Sequence, residues 1–274
     1  MENSDAKVAS PLFTIIVPTL NAQFKLEATL ASVLASKEPL ELLVMDGGST
    51  DGTPEMLRLF EARMDGRLHW WSGPDSGLYD AMNRGIERSN GRYLNFLGAG
   101  DELMPGALEL VAKRLGQDDL SQETFVLLYG DAFWKEQDRV QGGCYSPLRL
   151  TRENICHQVI FYSRPIFEQF GGYSLEYPVL ADYAFNIRCF GDDSVKKIHL
   201  DAVIAKFEGG GISSVTRDPK FYDRDMPGLV RRNLGVKLYF VHLAGRQLVR
   251  GGLAKSGPMI RIRRLLKRAI GLRT

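Results

Sequence analysis

A chain of 274 residues with 44% hydrophobic and 25% charged side chains has the composition of a soluble globular protein, long enough for one sizeable α/β domain with appendages and short for two. Its three cysteines, Cys144, Cys156 and Cys189, have neither CxxC spacing nor an even count, which argues against a disulfide framework and against a structural zinc site. The net charge of +2 conceals an asymmetry: Met226 to the end carries twelve Lys or Arg and no Asp or Glu, so the other 23 basic residues face all 33 acidic ones.

The N-terminal stretch MENSDAKVAS has no apolar core of signal-peptide length, so export is not expected. Phe13 to Val17 is a β-branched run stopped by Pro18 and reads as a buried parallel strand. Leu26, Thr29, Leu30, Val33 and Leu34 then recur at helical spacing. Leu40 to Met45 is a second strand that ends in Asp46 and a glycine-rich loop. Thr53 is the expected N-cap of the next helix and Pro54 its first residue. Leu68 to Trp71 makes a third strand. From Ser72 to Leu103 the chain passes through a polar turn, a helix-length segment and the strand Tyr93 to Leu97, which ends on Gly98, Ala99, Gly100 and Asp101. Strands alternating with helices imply βαβ crossovers and a mainly parallel sheet, with the loops that follow the strands gathered on one edge. Those loops carry Asp46, Asp51, Asp75 and Asp101. A carboxylate just past a buried strand lies where open α/β sheets bind ligands, which singles out Asp101.

Farther on, Pro105 to Leu115 predicts a helix, Phe125 to Tyr129 a strand, and the stretch to about Asn154 an irregular region or hairpin. His157 to Tyr162 is strand-like, Pro165 to Phe170 a short helix closed by Gly171 and Gly172, Asp182 to Cys189 the start of a helix, and Val195 to Ala205 a strand. After Asp218 the pattern turns helical. Leu229, Val230, Leu234, Leu238, Val241 and Leu248 line one expected helix, and Ile262, Leu265, Leu266, Ala269 and Ile270 a second with arginines and lysines around it. The longest late uncharged run, Leu238 to Gly245, is far below the ~20 residues that cross a bilayer. A basic amphipathic helix fits contact with an anionic membrane surface, and equally a packed helix with a solvated charged face. Nucleic-acid binding is disfavoured, because the body is acidic and the tail lacks interleaved aromatics.

Taken together, FTIIVPTLN, VMDGGSTDGT, SGPDSGLYDAMNRG, GRYLNFLGAGDEL, HQVIFYSRPIFEQFGGY and LADYAFNIR resemble the family 2 glycosyltransferases of bacterial surface polysaccharide assembly, inverting enzymes with the GT-A fold. The likeness runs from about Phe13 to Ser214. It implies a Rossmann-like GT-A domain over 11–216, flanked by helices, and leaves 217–274 as a helical basic extension. It further implies transfer of a sugar from a nucleoside-diphosphate donor to an acceptor hydroxyl, with inversion. The acceptor is expected to be a lipid-linked saccharide, and the enzyme to be cytoplasmic and peripheral on the inner face of the cell membrane.

By the same resemblance, Pro18, Thr19 and Asp46 hold the nucleoside, while Asp75, Asn83 and Arg84 line the donor site. Pro18 also reads as a simple strand terminator, and Asp46 as the cap of its own glycine loop. Asp80 and Glu87 read equally as helix-surface charges. The family's metal motif maps onto Gly98 to Asp101, with Gly100 replacing an acid, so Asp101 is the expected ligand of Mg²⁺ or Mn²⁺; a hard cation can take its other ligands from water and phosphate. Asp101 reads alternatively as a helix N-cap. Asp182 is the expected catalytic base, or else a helix cap. His157 and Gln158 can touch the donor sugar or diphosphate, Arg188 an acid or a phosphate, and Trp70, Trp71 and Trp134 are core or rim packing, with stacking on a sugar the alternative for Trp134. The competing function is a non-catalytic nucleotide-sugar-binding or membrane-docked scaffold of the same fold. No GxxxxGK[ST] occurs, so phosphoryl transfer is not expected.

Overall fold

Strands β1 (Phe13–Thr19) and β2 (Leu40–Asp46) are buried at every position, the signature of strands covered on both faces. In the computed structural model, which describes residues 10–63, 66–117, 120, 122–210 and 218–250 (backbone only for the last four), they are joined by α1 (Gln23–Leu34). Helix α1 buries Leu26, Thr29, Leu30 and Val33, a single stripe at i, i+3, i+4 and i+7. Next come α2 (Thr53–Glu61), β3 (Leu68–Ser72), α3 (Leu78–Arg88) and β4 (Tyr93–Phe96). The four strands pair in parallel in the order β3, β2, β1, β4.

The second half contributes β5 (Glu102–Leu103), α4 (Ala107–Leu115), β6 (Val126–Trp134), β7 (Arg139–Gln141), α5 (Pro147–Leu150), β8 (Ile160–Ser163), α6 (Arg164–Phe170), α7 (Ala181–Gly191) and β9 (Lys196–Phe207). The sheet continues past β4 as β8, β6, β9, β5, with β7 hydrogen-bonded to β6 as a hairpin. Strand β8 runs antiparallel to both β4 and β6, while β6 and β9 are parallel. The parallel half follows the predicted crossovers. Strand β8 can run the other way because no regular crossover helix links it to β6.

Some expected features are revised. Pro18 does not stop β1, which runs on to Thr19; β4 pairs with β1 only as far as Ile16, so the proline falls where β1 has one neighbour and a missing N–H is tolerated. The N-cap of α2 is Gly52, and Thr53 instead accepts a hydrogen bond from Ala22 N at 3.0 Å. The expected tail helix is two helices, α8 (Met226–Asn233) and α9 (Val236–Arg250), broken at Gly235, whose φ of +90° lies in the left-handed region.

Met226, Leu229 and Val230 of α8 are buried in the same core as the sheet, so this part of the tail is packed and not only solvated. The expected helix around Ile262 to Ile270 lies outside the described residues. Among those described, no helix is long and apolar enough to cross a membrane.

Candidate active site

The parallel register brings Thr19, Asp46 and Ser72 into one line across the ends of β1, β2 and β3. Asp46 is buried and accepts from Ser49 N at 3.0 Å, Ser49 Oγ at 2.5 Å and Ser72 Oγ at 2.5 Å. It therefore does cap its glycine loop. It also lines a cleft of about 210 Å³ with Trp71, Asp75, Arg84 and Arg88. The Asp75 carboxylate accepts from Gly77 N at 2.9 Å and packs so closely on Gly47 that a Cβ there would sit 2.8 Å from Asp75 Oδ2. Thr19 Oγ1 is buried and has no hydrogen-bond partner among the described residues. Asn21, held at a φ of 48°, locks the two front loops together: its Oδ1 accepts from Thr50 N at 2.9 Å and its N–H donates to Ser49 Oγ at 2.7 Å. Asp51 belongs to the same lock, and hydrogen bonds from Thr53 hold its carboxyl below the ordinary range.

Arg84 lines the cleft while donating to Pro74 O and to Asp80, which leaves Asp80 as a structural partner. Asn83 turns the other way. Its amide makes both hydrogen bonds with the backbone of Tyr173, at 2.9 and 2.8 Å, and so ties α3 to the loop before α7. Trp71 is a wall of the cleft, with the Arg88 guanidinium 5.3 Å from its ring centroid, whereas Trp70 donates to Glu61 and Trp134 packs on Phe207. Arg188 lies over Phe170.

Asp101 follows β4 and is 6% exposed. It caps no helix, since α4 begins at Ala107 with Gly106 in the N-cap position. Gln158 Nε2 donates to its Oδ2 at 2.7 Å and Glu208 N to its Oδ1 at 3.0 Å. Burial raises the carboxyl above its ordinary range, and the hydrogen bond from Gln158 works in the opposite direction. The orientation of Gln158 is set at its other end, where the Cys156 thiol, held protonated by burial, donates to Oε1.

Asp182 is also 6% exposed, in the first turn of α7. The N-cap of that helix is Leu180 and no side chain caps it, so the cap reading fails here too. Tyr79 Oη donates to Oδ1 at 2.6 Å and Asn154 Nδ2 to Oδ2 at 2.7 Å. His157 Nδ1 stands 3.8 Å from Oδ2. The turn Cys156 to Val159 thus stands between two buried carboxylates, with Gln158 on Asp101 and His157 beside Asp182. That turn is fastened from below by Asn95, fully buried in β4, which donates to the carbonyls of Gln158 at 3.0 Å and Ile160 at 2.9 Å.

Tyr79, Asn95 and Asn154 are residues of the candidate site that the sequence pattern did not single out. Asn95 had left a signal, a lone amide in an apolar strand; the others carry none, because their roles depend on partners 28 to 103 positions away.

Among the described residues no group of three or more His, Cys, Asp or Glu gathers into a metal cage. A carboxylate that is buried and held by neutral amides keeps uncompensated charge, which a hard divalent cation taking its remaining ligands from water and phosphate would complete. Asp101 fits such a cation as a single protein anchor. Gly100 has a φ of +108°, a conformation that disfavours the acid expected there.

The family model "Glycosyl transferase family 2" matches residues 14–174. A "PGL/p-HBAD biosynthesis glycosyltransferase" of Mycobacterium bovis is 40% identical over 238 residues, covering 85% of this chain and 90% of that one. Among solved structures, Staphylococcus aureus TarS 1–349 in complex with UDP-GlcNAc superposes with a TM-score of 0.62 at 17% identity, covering 80% of this chain and 64% of that chain. The mannosyltransferase PcManGT from Pyrobaculum calidifontis, in complex with GDP-Man and Mn²⁺, gives 0.57 at 17% identity, covering 97% and 82%. These likenesses at low identity agree with the GT-A type of fold. A family match over more than half the chain and 40% identity over most of it lead to one conclusion: the chain belongs to glycosyl transferase family 2 and is a glycosyltransferase.

Proposed function

We propose that this glycosyltransferase moves a sugar from a nucleoside-diphosphate donor to a hydroxyl of a lipid-linked saccharide, with inversion at the anomeric carbon. The observation that carries the reading is the pair of buried carboxylates, Asp101 and Asp182, on either side of the His157–Gln158 turn. The cleft at Thr19, Asp46, Asp75 and Arg84 takes the nucleoside, with Pro18 shaping the loop. The diphosphate then extends past the end of β1 toward β4, where Asp101 lies. Asn83 contributes indirectly, by holding the Tyr173 loop.

Asp182 takes the proton of the acceptor hydroxyl as its oxygen bonds to the anomeric carbon, and the bond to the diphosphate oxygen breaks on the opposite face. Tyr79 and Asn154 hold the carboxylate at two points and leave each oxygen a further lone pair for that proton. His157 contacts the donor sugar or diphosphate. When bound at Asp101, Mg²⁺ or Mn²⁺ supplies charge neutralisation for the leaving diphosphate.

Residues 11–216 form the catalytic domain in this reading, and 217–274 an extension whose basic end docks on the anionic cytoplasmic face of the cell membrane. The setting is surface polysaccharide or glycolipid assembly, in keeping with the name of the mycobacterial relative, a biosynthesis glycosyltransferase. Calorimetric titration with UDP, GDP, dTDP and CDP, each with Mn²⁺ and with EDTA, tests the donor side. One nucleotide should bind only with metal, and Asp101→Asn should lose that dependence; metal-independent binding of all four, or of none, counts against the reading.

A further inference from the structure

Three buried or half-buried side chains behind Asp182 form a hydrogen-bond chain of which the reaction described above uses only the last member, Asn154. Tyr162 Oη on β8 donates to Asn186 Oδ1 at 2.7 Å, Asn186 Nδ2 donates to Asn154 Oδ1 at 2.9 Å, and Asn154 Nδ2 donates to Asp182 Oδ2 at 2.7 Å. Tyr162 and Asn186 are fully buried, and Asn186 lies one turn beyond Asp182 on the same face of α7. Asn154 is fixed at its backbone as well, its carbonyl accepting from Tyr145 Oη at 3.0 Å.

An amide presents a donor on one side and an acceptor on the other, so a chain of two amides has a direction. Both ends impose the same one. An ionised Asp182 only accepts, which turns Asn154 Nδ2 toward it and obliges Asn186 to offer its own Nδ2. At the far end burial keeps the Tyr162 hydroxyl protonated, so it can donate to the carbonyl of Asn186. The neighbouring titratable groups, Tyr173 and Cys189, are held neutral by burial as well. We infer that Tyr162, Asn186 and Asn154 are a one-way positioning relay that aims a donor at Oδ2 of Asp182 and holds this carboxylate in its working orientation. The inference rests on Asp182 being the base. The three are positioning residues, since none of them touches the reacting atoms in this arrangement.

The relay can be reversed by one isosteric change. In Asn186→Asp the new side chain, when ionised, accepts from both Tyr162 and Asn154; Asn154 then turns its carbonyl toward Asp182. When protonated, the same side chain can donate to Asn154 and restore the direction. Nucleoside diphosphate release from UDP-, GDP- and dTDP-sugars, followed against pH in the full chain, should show Asn186→Asp near wild-type kcat at the acid end. At the alkaline end its kcat should be lower by roughly tenfold or more, the loss expected of a hydrogen bond to a charged group, with nucleotide Kd unchanged and Tm lowered only there, where a carboxylate ionises at a fully buried position. Asn154→Leu, at a half-buried loop position, should lose kcat to a similar extent at every pH, again with Kd retained.

Without any ligand, the side-chain NH₂ resonance of Asn154 in the ¹⁵N-asparagine-labelled Asn186→Asp variant should move with pH. A resonance that stays still, or an Asn186→Asp pH profile parallel to wild type, overturns the relay. Asp182→Asn separates the two ideas: full turnover in that variant overturns the base assignment and the relay with it, whereas an inactive Asp182→Asn beside an unaffected Asn186→Asp overturns the relay alone.

Discussion

Asp182 and Asp101 are alike in burial and differ in what surrounds them, and the proposed function gives them different work. Asp182 meets two neutral donors and a histidine in a space shared with α7, so Asp182→Asn should lower kcat by roughly 10²–10⁴-fold, the usual range for a proton-transfer group, while nucleotide binding by calorimetry stays intact. Asp101 is the better handle for pH. Burial raises its folded pKa, so its contribution to stability is fully present below the ordinary 3.8 and is lost as pH rises through the raised value. Above that value the chain carries a buried, ionised carboxylate. Mn²⁺ should therefore raise Tm more at about pH 7.5 than near pH 4, where protons compete with the cation for the carboxyl. Asp101→Asn should abolish that difference in a thermal scan; an equal Mn²⁺ effect at both pH values would contradict the anchor role.

Helix α7 carries the candidate base and is braced at its far end by the tail. A Cβ on Gly191 would lie 2.1 Å from Asn233 O, so the last residue of α7 packs directly on the last residue of α8. Gly191→Ala should cost about 1–3 kcal/mol through overpacking, read as a fall of several degrees in Tm. Hydrogen exchange should quicken in α8 more than in β1 and β2. The elements themselves were largely legible: the β-branched runs, the Gly171–Gly172 stop after α6 and the helical stripe of α1 all have local causes. Three details were not. Pro18 inside β1 depends on where β4 stops pairing, the antiparallel direction of β8 depends on the irregular path before it, and the break at Gly235 interrupts an apolar periodicity that carries on through it.

For the molecule as a whole, charge and core divide the tail into two parts. Met226, Leu229 and Val230 are core residues, so cutting the chain before α8 would expose apolar surface and confuse any binding assay. Cutting after Arg250 removes seven Lys or Arg and no acid. At about 1 kcal/mol for each basic residue near an anionic surface, the 1–250 chain should shift from bound to free in co-sedimentation with phosphatidylglycerol-containing liposomes, with Tm preserved. Neutral phosphatidylcholine liposomes should bind neither form. Equal binding of both forms to the anionic liposomes would rule out docking by this segment.

Alternating apolar runs and loops determined the α/β class and the loop-bearing edge, and with them the positions of Asp46, Asp75 and Asp101, because strand period, buried-run length and turn chemistry act over a few residues at a time. The order of the motifs identified the family, and the carboxylates it pointed to, Asp101 and Asp182, are the two that the fold brings to one turn. Which partner each of them has was decided only in three dimensions. Tyr79 and Asn154 reach Asp182 from α3 and from an irregular loop, Asn186 on the next turn of α7 holds Asn154, and Asn95 fastens the turn between the carboxylates from a strand beneath it. Hydrogen bonds between residues far apart in the chain follow from where packed elements come to rest, and no local pattern encodes them.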